Sequence, residues 1–244
     1  YLVFNGDEPL LQARVKELAQ AHRTFGRQLD NDLYATSVTP ADDHVTFKVN
    51  EWPDETFTIP VVGEYNVNNA LAAMEVGRLL HVTPAHMKQA LAHFDLTANR
   101  TEWVLGQNGE RILSDVYNSN PTAVKEVVKT LTEVPAQGKK VLVLGDMLEL
   151  GAASAELHAS LADSISHEQF AEVYLIGTEM AALRDRLLAQ GYPTSDLHYF
   201  AATAQAEMAQ ALAADLQAGD VVLLKASHGL HLEQTLAVLR QTAE

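Results

Sequence analysis

The 244-residue sequence contains no cysteine, so a disulfide framework, thiolate chemistry and a Cys-based zinc site are all closed to it. Its apolar runs are far shorter than the ~20 residues of a membrane-spanning helix. The N-terminus has neither the basic flank nor the apolar stretch of a signal peptide. Basic residues are scarce: 17 Lys and Arg stand against 32 Asp and Glu, a formal net charge of -15. That charge opposes non-specific attraction to nucleic acid or to an anionic membrane. These absences leave a globular protein expected in a reducing cytoplasm, with no nucleic-acid partner and no membrane insertion. An anionic ligand can be held against such a field only where a few Lys, Arg or backbone N–H groups converge, which gives weight to the basic residues beside motifs.

Three motifs are also missing: the dinucleotide fingerprint G-x-G-x-x-G, the phosphate loop G-x-x-x-x-G-K-[ST] and the nucleophile elbow G-x-S-x-G. What is present is 47% hydrophobic residues, material for a sizeable core, arranged in two textures. Residues 2 to 5 read as a strand, and Pro9 to Gln20 as a helix carried by Leu10, Leu11, Val15 and Leu18. From about 24 to 62, DLYATSV, HVTFKV and TFTIPVV predict antiparallel strands. A helix follows from Asn66 to Leu80, and a second, with Thr83 as N-cap and Pro84 in its first turn, reaches Phe94. After the polar segment DLTANR, residues 95 to 100, strands and helices alternate regularly. The strands are RILSDVY, KVLVLGD, EVYLIG, LHYF and DVVLLKAS, and the pattern predicts an α/β fold with a mostly parallel sheet and helices on both faces.

Ligands of such sheets sit beyond the carboxyl ends of the strands. There, Asn120 can cap a helix opening at Pro121; one cap needs one side chain, which leaves Asp115, Tyr117 and Asn118 as a surplus open to a ligand. Asp146 after LVLG is either a turn former or a ligand group. Lys225 either reaches for water or, with Ser227, holds an anion. His228 and His231 are three apart with only Glu233 beside them, so no metal site is expected in this segment. Asn66, Asn68 and Asn69 crowd the strand-to-helix junction after Gly63, where they either manage helix entry or present polar edges to a ligand.

Taken in order and spacing, GEYNVNNALAA, NRTEW, LSDVYNSNPTAV, LGDMLELG and LLKASHG resemble the Mur ligases of peptidoglycan synthesis. The forms D-x-Y-N-x-N-P and L-G-D-M-x-E-L-G resemble most the members that add D-alanyl-D-alanine. The resemblance implies that residues 1–96 are the later half of a central α/β ATPase domain with added antiparallel strands, and that residues 97–244 are a C-terminal Rossmann-like domain. It places the N-terminal domain, the phosphate loop, the Mg²⁺ ligands and a carbamoylated lysine upstream, so the chain is expected to be a piece of a longer, monomeric enzyme and to hydrolyse no ATP alone. The implied reaction is ATP-dependent. The carboxylate of UDP-N-acetylmuramoyl-tripeptide is phosphorylated to an acyl phosphate, which the amine of D-alanyl-D-alanine attacks.

By the same resemblance Asn66 and Asn69 contact the adenine end of ATP, while Asn68 is a helix-start residue. Arg100 reaches the nucleotide and is the one catalytic residue implied in this segment; Asp115 accepts from the ribose hydroxyls. Tyr117, Asn118, Asn120 and Asp146 fall on the substrate side, and Lys225 with Ser227 holds the dipeptide carboxylate. Residues 95 to 100 would be the hinge. The chain departs from the family pattern at Tyr65, where many members have His, at Asn99, where many have Gly, and at Ala226, which replaces the Gly of K-G-S. A folylpolyglutamate-type ligase and a non-catalytic nucleotide-binding module are the alternatives.

Overall fold

The first β-α step of the sequence becomes, in a computed structural model describing residues 1–94 and 100–240, β1 (Leu2–Asn5) and α1 (Pro9–Val15). The helix stops short of Gln20 because little of it finds a core: Val15 is buried, but Leu10 is 79% and Leu18 42% exposed. There follow β2 (His22–Gly26), β3 (Leu33–Pro40), β4 (Val45–Val49), β5 (Phe57–Ile59), α2 (Asn66–Leu79) and α3 (Pro84–Ala92). The strands form one sheet in the order β1-β2-β3-β4-β5. The β3–β4 and β4–β5 pairs are antiparallel as the alternation predicts, whereas β2, not anticipated as a strand, runs parallel to both β1 and β3. In β4 every second residue, Val45, Phe47 and Val49, is buried, the period of a strand with one face on a core. Against that face α2 lays Val67, Ala70, Leu71 and Met74, with Met87 of α3 beside them. Fully burying a Val or Phe side chain stabilises by about 1.5–3 kcal/mol. Thr83 Oγ1 accepts the His86 N–H ahead of Pro84, so α3 starts where its capping residues put it.

The chain separates into two units, Tyr1–Asp95 and Leu96–Glu244. The second contains β6 (Glu102–Leu105), β7 (Arg111–Asp115), α4 (Pro121–Glu133), β8 (Lys140–Gly145), α5 (Ser154–Ala159), β9 (Glu172–Ile176), α6 (Met180–Ala189), β10 (Leu197–Phe200), α7 (Gln205–Asp215), β11 (Val221–Lys225) and α8 (Glu233–Leu239). Its sheet runs β10-β9-β8-β11-β7-β6, parallel throughout except for β6, which pairs antiparallel with β7. β6 was not anticipated; its turn passes through Gly109 at φ +91°, a conformation that suits glycine. The helix expected after β8 is broken into the single-turn stretch Gly151–Ala153, α5 and a tight turn at Ser160–Ser164. Within it the Ser160 hydroxyl bonds back to Leu157 O at 2.8 Å and the His158 ring to Ser154 O at 2.8 Å, local bonds that compete with regular helix.

Two helical layers cover this sheet. α7 and α8 pack on each other over Ile112, Val141, Val143, Val222 and Leu224. The alternate residues Leu113, Leu142, Leu144 and Leu223 are just as buried and point to the opposite face, where α4, α5 and α6 pack together. β7 therefore exits toward one layer and its neighbour β11 toward the other. Where the exits of adjacent parallel strands diverge, a crevice opens at the carboxyl end of the sheet. Among the described residues no helix is long and apolar enough to cross a membrane.

Candidate functional site

Parallel in-register pairing sets Lys225, the last residue of β11, beside Asp115, the last of β7. Lys225 is 1% exposed. Its Nζ lies 2.8 Å from Asp115 Oδ2 and donates to Asn118 O at 2.6 Å and to Asp115 O at 3.4 Å. A buried ammonium must be paired or it is not tolerated, and here every proton points at an oxygen of the β7–α4 connection. The resemblance implies that Lys225 holds a dipeptide carboxylate; in this structure its donors are engaged inside the protein. Asp115 keeps Oδ1 without a hydrogen bond among the described residues, so one oxygen can still accept a hydroxyl. Asn120 does what its cap position asks, accepting the Ala123 N–H at 2.9 Å. Tyr117 and Asn118 are exposed. The Arg100 guanidinium lies over the Tyr117 ring at 4.4 Å, and that ring meets His228 at 5.7 Å, which in turn meets His231 at 5.5 Å. Sequence reasoning passed over Ser119, which is 4% exposed with an Oγ that has no partner among the described residues. An orphan buried hydroxyl of this kind calls for an explanation.

On the other side of β11, the start of the β8–α5 connection is held at Asp146, Met147 and Leu148. Asp146 is buried, and its two oxygens accept the Thr178 and Met180 N–H groups at 3.0 and 2.9 Å. It caps the start of α6 from a neighbouring strand with both of its oxygens. The Met147 N–H donates to Nε2 of fully buried His158 at 2.9 Å, so that nitrogen carries no proton. The Leu148 N–H donates to Ser227 Oγ at 2.9 Å. Ser227 Oγ is therefore engaged by the protein as an acceptor. Ala226 causes no difficulty in place of glycine: its φ is not positive, and its side chain sits in the core beneath α8. No sequence pattern marked His158, because the Met147 N–H that it accepts lies outside its own helix.

In the first unit, Gly63 at φ +90° turns the chain into α2. Asn66 Nδ2 donates to Val62 O at 2.8 Å, and Asn69 Nδ2 donates to Asn66 Oδ1 at 3.1 Å. The first backbone N–H groups of the helix are already bonded, Asn66 to Gly63 O, Val67 to Glu64 O and Asn68 to Tyr65 O. Asn66 and Asn69 thus manage helix entry as a linked pair. Asn68, expected only to start the helix, instead has a buried Oδ1 without a partner among the described residues. Two turns further, Glu75 is fully buried, and burial pushes its carboxyl up from the usual range; Arg78, 3.1 Å away, opposes this. Among the described residues no group of three or more His, Asp or Glu could hold a metal ion. The ligands of the Mg²⁺ that the resemblance implies are expected upstream of this segment. The expected hinge falls on residues 95 to 100 and the departure at Asn99 within it; residues 95–99 lie outside the described residues.

Comparison with known proteins bears on both units. The profile of the Mur ligase, glutamate ligase domain matches residues 99–228, and that of the Mur ligase middle domain matches residues 1–77. The UDP-N-acetylmuramoyl-tripeptide--D-alanyl-D-alanine ligase of Bacillus subtilis is 31% identical over 233 residues, 96% of this chain and 50% of its own length. The chain thus spans about half of that relative. A MurF crystal structure from Acinetobacter baumannii superposes with a TM-score of 0.80 at 22% identity, covering 96% of this chain and 50% of that one. The MurF ligase of Thermotoga maritima in complex with ADP gives 0.76 at 24% identity, covering 97% and 52%. The mixed first sheet and the mostly parallel second sheet are the fold of those ligases, and the chain belongs to the Mur ligase family.

Proposed function

We propose that this chain is part of an ATP-dependent ligase that joins D-alanyl-D-alanine to UDP-N-acetylmuramoyl-tripeptide through an acyl phosphate, in cytoplasmic synthesis of peptidoglycan precursors. One observation carries the reading: the Bacillus subtilis relative, whose name states that activity, matches over 96% of the chain and so across both units. In this reading the first unit receives the adenine end of ATP beside Asn66 and Asn69. The unpartnered Oδ1 of Asn68 is a hydrogen-bond acceptor of the kind an exocyclic amine would use. In the second unit Asp115 accepts from the ribose hydroxyls with its open oxygen, and Arg100 leaves the Tyr117 ring to neutralise phosphate. The exposed Tyr117 and Asn118, together with the Ser119 hydroxyl, face the reacting groups. The chemistry asks for no protein nucleophile; positioning two anions and an amine, and stabilising charge that develops between them, is what the protein contributes.

The test is release of inorganic phosphate by the complete protein that contains this chain. Release is expected to require ATP, UDP-N-acetylmuramoyl-tripeptide and D-alanyl-D-alanine together. Turnover with glutamate or L-alanine as acceptor and none with the dipeptide would assign the chain to a sister ligase instead.

A further inference from the structure

β11 is inserted between β8 and β7, and its last residue, Lys225, and Ser227 just beyond it reach opposite ways. Lys225 extends to the β7 side, where its ammonium holds the Asp115 carboxylate and the Asn118 carbonyl. Ser227 extends to the β8 side, where its hydroxyl takes the Leu148 N–H while its own N–H returns to Asp146 O at 3.2 Å. Between them Ala226 is buried in the core, and a Cβ built on Gly145 would lie 2.8 Å from its methyl group. Lys225 has no donor left over and is 1% exposed; Ser227, 7% exposed, is engaged through its hydroxyl oxygen as an acceptor.

We propose that the segment Lys225–Ala226–Ser227 is a clasp: it touches no substrate and positions the connections after β7 and β8 so that Asp115, Tyr117, Ser119 and Leu148 stand where the nucleotide and acceptor arrive. Lys225 is the positioning residue for Asp115. Without its charge the Asp115 carboxylate is free to rotate and to rehydrate, and the loop carrying Tyr117 loses its tie at Asn118 O. The first effect of removing Lys225 is accordingly on the nucleotide, through Asp115, and not on the carboxylate of the dipeptide. The clasp rests on the ligase reading for its substrates but on the geometry alone for its bonds.

The experiment compares D-alanyl-D-alanine with its C-terminal carboxamide as acceptors in the complete wild-type protein and in its Lys225→Met and Ser227→Ala variants. A side chain that binds the carboxylate directly contributes one charge-assisted bond, about 10- to 100-fold in KM, and deleting it abolishes the penalty of amidation. A clasp leaves that penalty the same within about 2-fold in all three proteins, while KM for ATP rises by roughly 10-fold in Lys225→Met, the size of one such bond lost through Asp115. Loss of the amidation penalty in either variant overturns the proposal. A wild type that does not use the dipeptide at all instead overturns the ligase reading. In that event, or if Lys225→Met unfolds too readily for kinetics, urea denaturation of Lys225→Met, Asp115→Asn and the double variant decides. The double variant is expected to be no less stable than the weaker single one; additive losses would show that the two groups do not hold each other and overturn the clasp.

Discussion

Replacing Asp146 with alanine isolates the contribution of a carboxylate that caps a helix belonging to the next strand-helix unit. Asp146 accepts the Thr178 and Met180 N–H groups at 3.0 and 2.9 Å, and Met180, the first residue of α6, is fully buried. A hydrogen bond to a charged group contributes about 1.5–3 kcal/mol, and a buried donor left without an acceptor loses its solvation in addition. Water can reach the half-exposed Thr178 end and recover part of this, so the expected loss for Asp146→Ala is about 3–4 kcal/mol. For a unit of this size that lowers the melting temperature by roughly 10 °C. Asp146→Asn recovers at most half, because its amide nitrogen must face one of the two N–H donors. Gly177 allows the approach: its φ is +120°, and a Cβ there would lie 2.3 Å from the carboxyl carbon. The sequence has two tryptophans, Trp52 in the first unit and Trp103 in the second. Urea unfolding followed by Trp103 fluorescence in a Trp52→Phe background therefore reads the second unit alone. An Asp146→Ala protein that unfolds at the wild-type midpoint but binds acceptor or nucleotide more weakly would refute the reasoning and return Asp146 to the substrate side.

Two further perturbations test the remaining polar groups. The raised pKa of Glu75, caused by burial and added to by Asp32 against the opposing Arg78, means that the folded protein holds this proton more tightly than the unfolded chain. Its contribution is fully present below the unfolded carboxylate value of about 4.3 and is lost as pH rises through the folded value. The stability of Glu75→Gln relative to wild type is accordingly expected to increase from pH 4 to pH 8, and a pH-independent difference between their melting temperatures would contradict this. Asn120→Ala removes the bond to the Ala123 N–H at the start of α4 and is expected to cost about 1 kcal/mol, whereas Asn120→Asp retains the cap and gains from the helix dipole. Urea midpoints of the two variants on either side of wild type are the result that supports the cap.

What could be read from the sequence was what is local. The apolar runs of β7, β8, β9 and β11, the Thr83 and Asn120 caps and the Gly63 turn declare themselves within a few residues, and the structure places them there. β2 was missed because HRTFG alternates weakly and its burial comes from neighbours on both sides. β6 was missed although Asn108–Gly109 between WVL and RIL is a hairpin signal that could have found it. The strand-end residues singled out for function do gather at the carboxyl edge of the second sheet. Their partners could not be read, since Lys225 finds Asn118 across 107 positions and Leu148 finds Ser227 across 79. A polar residue at a strand end looks the same whether it will bind a ligand or a neighbouring loop. Only the occupancy of its donors and acceptors separates the two, and that is a tertiary property.

The same occupancy bears on how β11 finds its place. Val221, Val222, Leu223 and Leu224 are buried on both faces of the sheet, so a slip of one residue would exchange apolar side chains for apolar side chains. Alternation specifies register only where one face is wet. The ends of the strand are different. Asp220, just before it, accepts the Lys139 N–H with one oxygen and the Gln217 N–H with the other, and gives its carbonyl to the Arg111 N–H. Lys225 closes the far end on Asp115. A slip by one residue would turn Lys225 away from Asp115 to the opposite face, where α7 and α8 pack apolar side chains. Stranding a buried charge in this way costs about 3–5 kcal/mol, more than a slip could recover by repacking valine as leucine. The register that sets Lys225 opposite Asp115 is therefore held by the two charged ends of the strand, and the geometry of the crevice follows from it.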